Sequence, residues 1–407
     1  MVLKTVFKDF YFFITILKII FLIYLFFTIL FNKLKEYKYD FKLKQYKLEI
    51  ENYYILCNNG TLLNKKKFMK TETPKISIIS PIYNREKYIL RFLRSIQNQY
   101  FDNVEIIFVD DFSSDNSVET IENYQIEDER IILIKHNKNK GTLITRNDGA
   151  LISKGEYLIF PDPDDILAQD ILNMCYQYSK VNNYEIIRYN LFDQRENDIF
   201  YNSIVSKLDS KRIEQPELFY YLFYGIGKLK QIDFNLANKF IKREAYIRAL
   251  NSINSFYLKQ YMTNFEDGIM NYILYKASRS YYFLKNIGYF YIRNNQSITI
   301  SQNINYNNRF KFIFLYLKIV FDTTKNNKIE KQISILVFKW LLNLIKEGIK
   351  SITKDINFFF DIINKYLKCK FIDNRSKIIL KQLKLILYNL SKKINDNNQS
   401  ISSIKAL

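Results

Sequence analysis

Histidine and cysteine are almost missing from this chain of 407 residues, which has one of the first and three of the second. Cys57, Cys175 and Cys369 stand far apart in different segments, so neither a disulfide framework nor a Cys-x-x-Cys zinc site is available. His136 alone excludes a histidine metal cage and any catalytic plan that needs two imidazoles. Zinc-finger spacing, an aromatic RNA-binding signature and a basic heptad zipper are also missing, which argues against nucleic acid as a partner. Lys and Arg number 61 against 41 Asp and Glu, a formal charge of +20. That excess is mostly lysine scattered through Asn, Ile, Tyr and Phe, a usage bias more than a binding footprint. Carboxylates are left to carry the metal and proton chemistry.

With 48% hydrophobic residues the chain can bury a full core. Residues 10–31 are apolar except for Lys18 and a few polar positions, long enough as a helix to span a bilayer core of about 30 Å. A lysine at the centre of such a helix costs about 2.5 to 3.5 kcal/mol, which the surrounding Ile, Leu and Phe offset. A cleaved signal peptide fits less well, because Asn32-Lys33-Leu34-Lys35 follows where small residues are needed. A tail and single-pass anchor over 1–35 and a stem over 36–73 are therefore expected. The expected location is a membrane of the secretory pathway, Golgi or endoplasmic reticulum. Lys33, Lys35, Lys38, Lys42 and Lys44 outnumber Lys4 and Lys8, which would instead keep the bulk of the chain cytosolic, and the orientation stays open.

From Ile76 onward strand and helix patterns alternate. Ile76-Ser77-Ile78-Ile79 reads as a strand, 86–97 as a helix with Ile89, Phe92, Leu93 and Ile96 on one face, and 104–109 as a second strand. Helices at 116–124, 143–152 and 170–180 then alternate with strands at 131–134, 157–160 and 185–189. Such alternation predicts a mostly parallel sheet with helices on both faces and ligands beyond the carboxyl ends of its strands. Polar clusters stand at those ends: Tyr83-Asn84, Asp110-Asp111, and Asp162-Pro163-Asp164-Asp165. Three carboxylates within four residues repel one another unless a divalent cation holds them ionised. Taken singly, Asn84 reads equally as a helix cap, Asp110 as a turn starter, Gly141 as a turn glycine and Arg146 as a solvated helix residue.

In order and spacing the motifs resemble those of family 2 glycosyltransferases with the GT-A fold. The resemblance rests on Pro81-Ile82-Tyr83-Asn84, Val109-Asp110-Asp111-Phe112-Ser113-Ser114-Asp115, Asn139-Lys140-Gly141, Arg146-Asn147-Asp148-Gly149 and Asp162-Pro163-Asp164-Asp165. It continues through Asn238-Lys239-Phe240-Ile241-Lys242-Arg243, Glu266-Asp267 and Tyr289-Phe290-Tyr291-Ile292-Arg293. Phe112 departs from it, standing where the family often has glycine. The resemblance implies a GT-A domain over 74–300, a Rossmann-like α/β fold, and leaves 301–407 as a helical C-terminal extension. It further implies metal-dependent, inverting transfer of a hexosyl or N-acetylhexosaminyl group from a UDP-sugar to a hydroxyl of a glycan or glycoconjugate. Asp162 and Asp164 would hold Mn²⁺ or Mg²⁺, with Asp165 near the ribose or metal and Arg146 as a second positive charge. Asp111 would meet the uracil edge, Pro81, Tyr83 and Asn84 would line the nucleoside, and Asp267 would be the general base. The alternative is an inactive relative that binds sugar nucleotides or glycans as a membrane scaffold.

Overall fold

Short apolar runs between amphipathic segments build one sheet flanked by helices. The computed structural model describes residues 67–193, 198–200, 212–215, 235–263 and 266–292, part of 52–59, and a few isolated positions beyond. The expected anchor at 10–31 and nearly all of the expected extension at 301–407 lie outside the described residues. Among those described, no helix is long and apolar enough to cross a membrane. Residues 1–59 and 60–407 are separate units. In the first, residues 55–58 are helical; the second carries the sheet.

Its first half follows the alternation closely. Strands β1 (Ile76–Ile82), β2 (Val104–Asp110), β3 (Ile131–Lys135) and β4 (Tyr157–Ile159) are joined by helices α1 (Glu86–Gln97), α2 (Ser117–Glu127) and α3 (Thr142–Ile152). They pair in parallel in the order β3-β2-β1-β4. Ile89, Phe92, Leu93 and Ile96 recur at helical spacing in α1 and all four are buried. With Ile121 of α2 they cover the sheet face that carries Ile76, Ile78, Ile106 and Phe108. Adjacent strand residues point to opposite faces, so Ile79, Ile107 and Val109 face the other way, and α3 packs there. Gly149 permits that approach, since a Cβ on it would stand 2.5 Å from Ile79 Cγ2.

The second half departs from simple alternation. Next come β5 (Ile166–Leu167), α4 (Ile171–Asn182), β6 (Ile186–Asp193), β7 (Asp198–Phe200), β8 (Ile213–Glu214), β9 (Lys239–Lys242), α5 (Arg243–Leu250), α6 (Ser255–Leu258), α7 (Glu266–Ala277) and β10 (Ser280–Tyr291). The full order is β3-β2-β1-β4-β9-β6-β10-β5, with β7 on β6 and β8 on β10. β9 runs against both β4 and β6, while β10 is parallel to β6. The expected mostly parallel sheet is thus corrected to a mixed one. β9 occupies the place beside β4 because Phe240 and Ile241 are both buried there, Phe240 stacking on Tyr157 with ring centroids 4.6 Å apart. Of the expected extension, Thr323 reaches α7, its Oγ1 2.9 Å from the Tyr272 hydroxyl.

The end of the expected stem also belongs to the domain. Phe68 forms a bridge with Asp128, and Glu129 N–H donates to the Phe68 carbonyl at 3.1 Å. The Phe68 ring covers the Arg130 guanidinium, 4.1 Å from centroid to Cζ. Asp128 accepts from Arg130 Nε at 2.9 Å and Nη2 at 2.8 Å, and from Gln97 Nε2 at 3.1 Å. Both partners are buried, so removing the acid strands a charge. Asp128→Ala is expected to lower unfolding free energy by about 3 to 5 kcal/mol in denaturant titration. A loss below about 1 kcal/mol, the range of exposed pairs, would show the pair to be dispensable.

Candidate active site

The carboxyl ends of β1, β2 and β4, with the start of α7, enclose a cleft of about 310 Å³. Pro81, Tyr83, Asp111, Arg146, Asp162, Asp164 and Asp267 all line it. Five different segments of chain deliver these seven residues. Two expected site residues do not line the cleft. Asn84 has φ 53°, donates its N–H to Ser113 Oγ at 3.0 Å and accepts from Ser114 N–H at 2.8 Å, so it shapes the loop after β2. Asp165 is buried, accepting from the Tyr289 hydroxyl at 2.6 Å and from Ile292 N–H at 2.8 Å. It ties the turn after β4 to the end of β10, away from the cleft lining. Burial, then Asp164 and Asp162, push its carboxyl well above the usual range.

At one end of the cleft Asp111 is wrapped by the loop between β3 and α3. Its Oδ1 accepts from Lys140 N–H at 2.7 Å and its Oδ2 from Gly141 N–H at 2.8 Å. Gly141 is more than a turn residue: its φ is +86°, and a Cβ on it would meet the Met262 carbonyl oxygen at 2.6 Å. Asp110, by contrast, accepts from Ser113 N–H at 3.2 Å and starts the turn. Phe112, in the position of the family's glycine, has φ 69° and an exposed ring. For a bulky residue that left-handed conformation costs about 1 to 2 kcal/mol. Tyr83 is half exposed at this end, and the Tyr261 hydroxyl is raised above its ordinary value by burial, then by Asp111 and Tyr83.

At the other end Arg146, buried on α3, joins three acids. Nη2 donates to Asp162 Oδ1 at 2.7 Å, and Nη1 to Glu266 Oε1 at 3.3 Å and to Asp267 Oδ1. Burial works against its charge, but Asp267, Asp162 and Glu266 outweigh it and hold the guanidinium above its ordinary value. Burial lifts the Asp162 carboxyl to about 6, with Arg146 pulling it down and Asp164 pushing it up. Asp164 stands 3.8 Å from Arg85 Nε, and its carbonyl accepts from Arg91 Nη2 at 2.5 Å. Glu266 and Asp267 open α7, where the helix dipole favours acids. Leu236 N–H donates to the second Asp267 oxygen at 3.2 Å. Behind the site Tyr246 stacks on Phe160 at 4.8 Å and donates to Asn147 Oδ1 at 2.8 Å, locking α3 to α5.

Hard carboxylate oxygens on one wall suit Mn²⁺ or Mg²⁺. Among the described residues no group of three His, Cys, Asp or Glu is assembled to hold an ion. Asp162 and Asp164, which both line the cleft, are the two carboxylates that would hold such an ion. Sequence reasoning missed Arg85, Asn139, Thr142, Asn235, Thr263 and Tyr291, which also line the cleft. Arg85 directly follows the Tyr83-Asn84 motif and was findable as a cation beside an acidic cluster. Asn235 and Thr263 come from segments without motif, and tertiary folding alone brings them in.

Residues 77–248 match the family model described as glycosyl transferase family 2. Glycosyltransferase GlyG of Streptococcus pneumoniae is 32% identical over 123 residues, 30% of this chain and 41% of that protein. The poly(ribitol-phosphate) beta-glucosyltransferase of Bacillus spizizenii is 39% identical over 115 residues, 28% of this chain and 18% of that protein. The chain spans less than half the length of the curated relatives it matches. In fold it is similar to S. aureus TarS 1–349, whose structure in complex with UDP-GlcNAc aligns with TM-score 0.58 at 16% identity, covering 80% of this chain and 92% of that one. The segment matched by that family model supplies most of the sheet together with Asp111, Arg146 and the acidic turn that line the cleft, and over those residues the chain is similar to glycosyl transferase family 2.

Proposed function

We propose that this domain transfers a hexosyl or N-acetylhexosaminyl group from a UDP-sugar to a hydroxyl of a glycan or glycoconjugate, inverting the anomeric carbon. One observation carries the reading: Arg146 bonds both Asp162 and Asp267 in a single cleft that also contains Asp111 and Asp164. The UDP-GlcNAc complex of the similar TarS structure supports the donor class, and the relative named for poly(ribitol-phosphate) supports a hydroxyl-bearing polymer as acceptor.

Asp111 and Tyr83 would receive the nucleoside at one end, and Arg85 and Arg146 would face the diphosphate charge in the middle. An Mn²⁺ or Mg²⁺ ion held by Asp162 and Asp164 would supply Lewis-acid neutralisation of the departing diphosphate. Asp267 would take the proton from the acceptor hydroxyl as its oxygen bonds to the anomeric carbon and the bond from that carbon to the phosphate oxygen breaks. Attack opposite the leaving group inverts the centre. The ion pair with Arg146 and the Leu236 N–H orient Asp267, so placement carries its part in the step. Glu266 does not compete as a base. Burial, then Asp267, holds its carboxyl up to about 8, with Arg146 opposing, so at neutral pH it keeps its proton and does not repel Asp267.

Asp267→Asn should lower kcat by about 10² to 10⁴ while calorimetric UDP affinity stays within about twofold. Turnover equal to wild type would remove Asp267 from the mechanism. Chelation should weaken UDP binding and added Mn²⁺ restore it, a response that Asp164→Asn lacks; binding indifferent to chelator in the wild type would exclude the ion. A glutamate whose folded-state value is raised contributes stability that is complete below about 4.5 and lost as pH rises to about 8. Glu266→Gln should therefore gain stability relative to wild type between pH 5 and pH 8.5 in thermal unfolding. Parallel pH profiles of the two proteins would contradict the assignment.

A further inference from the structure

The one histidine of the chain has no part in the chemistry above, yet it is buried beside the cleft. His136 follows β3, and its N–H donates to the Asp110 carbonyl at 2.9 Å, which holds the residue against the end of β2. Its Nδ1 stands 2.9 Å from Asp111 Oδ1, and its Nε2 stands 3.0 Å from Asp148 Oδ2. An ionised carboxylate only accepts, so two such contacts on one imidazole need an N–H on each nitrogen. The ring that satisfies both is an imidazolium.

The surroundings complete a closed circuit. Asp148, on the exposed side of α3, also accepts from Lys140 Nζ at 3.2 Å, while Lys140 N–H donates to Asp111. Asp111 is thereby held at Oδ1 by the ring and by Lys140, and at Oδ2 by Gly141. Three donors leave the carboxylate one rotamer and one remaining acceptor direction. A carboxylate with a side chain 6% exposed would be costly to keep ionised alone, and an imidazolium beside it would supply the compensating charge. On the far side of the ring a second cavity, lined by His136, Lys140, Asp148, Leu151 and Ile152, opens to solvent. Asp148 thus anchors the ring from the outside while Asp111 meets it from the cleft.

We propose that His136 is a positioning residue for donor binding: as an imidazolium braced by Asp148, it sets the orientation and charge of Asp111 at the nucleoside end of the cleft. The inference rests on the reading of Asp111 under the proposed function. Because the His136 ring bonds Asp111 and Asp148 and does not line the cleft with Arg146, Asp162 and Asp267, its loss acts on donor affinity and spares the chemical step.

A single histidine makes the test direct, since its ring nitrogens give one pair of signals in ¹⁵N magnetic resonance. At pH 7.5 both shifts should report imidazolium in the wild type, and Asp148→Asn should move them toward the neutral ring. A neutral tautomer in the wild type overturns the proposal. His136→Ala should raise the UDP dissociation constant and the donor KM about tenfold, with kcat within about twofold of wild type, and Asp148→Asn should give an intermediate loss of affinity. Asp148→Asn keeps shape and carries the test should His136→Ala fail to fold. UDP affinity equal in wild type and both variants overturns this inference alone. No UDP binding by the wild type overturns the proposed function and this inference with it.

Discussion

A buried guanidinium shared among three acids is the constraint on which the site depends. Arg146 draws Asp162 from the turn after β4 and Glu266 and Asp267 from the start of α7, segments about a hundred residues apart in sequence. Breaking a buried ion pair from one side costs far more than an exposed pair is worth, so these acids are held in place by one another's need for that cation. The same network divides their roles. All three acids take a bond from the guanidinium and line the cleft, but Glu266 is the most buried of them, and burial, then Asp267, raises its carboxyl.

A second device works at the far end of the cleft by the opposite means. There the buried group is an anion, Asp111, and backbone N–H groups and one imidazole surround it. Gly141 makes this possible, because only a residue without Cβ can turn with positive φ against the Met262 backbone. The neighbouring Phe112 takes a comparable conformation at a steric cost. Strain of this kind persists where surrounding bonds over-determine the backbone, and the bonds of Asn84 to Ser113 and Ser114 provide them.

The sheet explains how two such ends face one cleft. β1, β2 and β4 run in parallel and release their chains at one edge. β9, reversed between β4 and β6, carries the chain from Asn235 back along β4 and delivers α5 against α7. Without that reversal the acids at the start of α7 would have no support beside the turn after β4. Phe240 on Tyr157 and Tyr246 on Phe160 are the two stacked pairs that secure it.

Most of the first half was legible in the residue pattern. α1 matches its apolar spacing residue for residue, and the polar clusters do fall at strand ends, because periodicity reports local burial and turn chemistry directly. β9 was not legible as a reversed strand, since direction within a sheet depends on what stands beside it. Asp165 shows the same limit: in sequence it is one more acid in an acidic turn, and only Tyr289 and Ile292, arriving from the far end of the domain, turn it from ligand candidate into a tie. His136 likewise read as an isolated residue until Asp111 and Asp148 closed on both its nitrogens. The order of motifs determined the family's pattern and the chemical type of each end, acidic or amide, because these are properties of residues and their spacing. Which acid is paired, buried, protonated or left facing the cleft was decided by tertiary structure, since charge and burial are set by neighbours that the chain brings together from a distance.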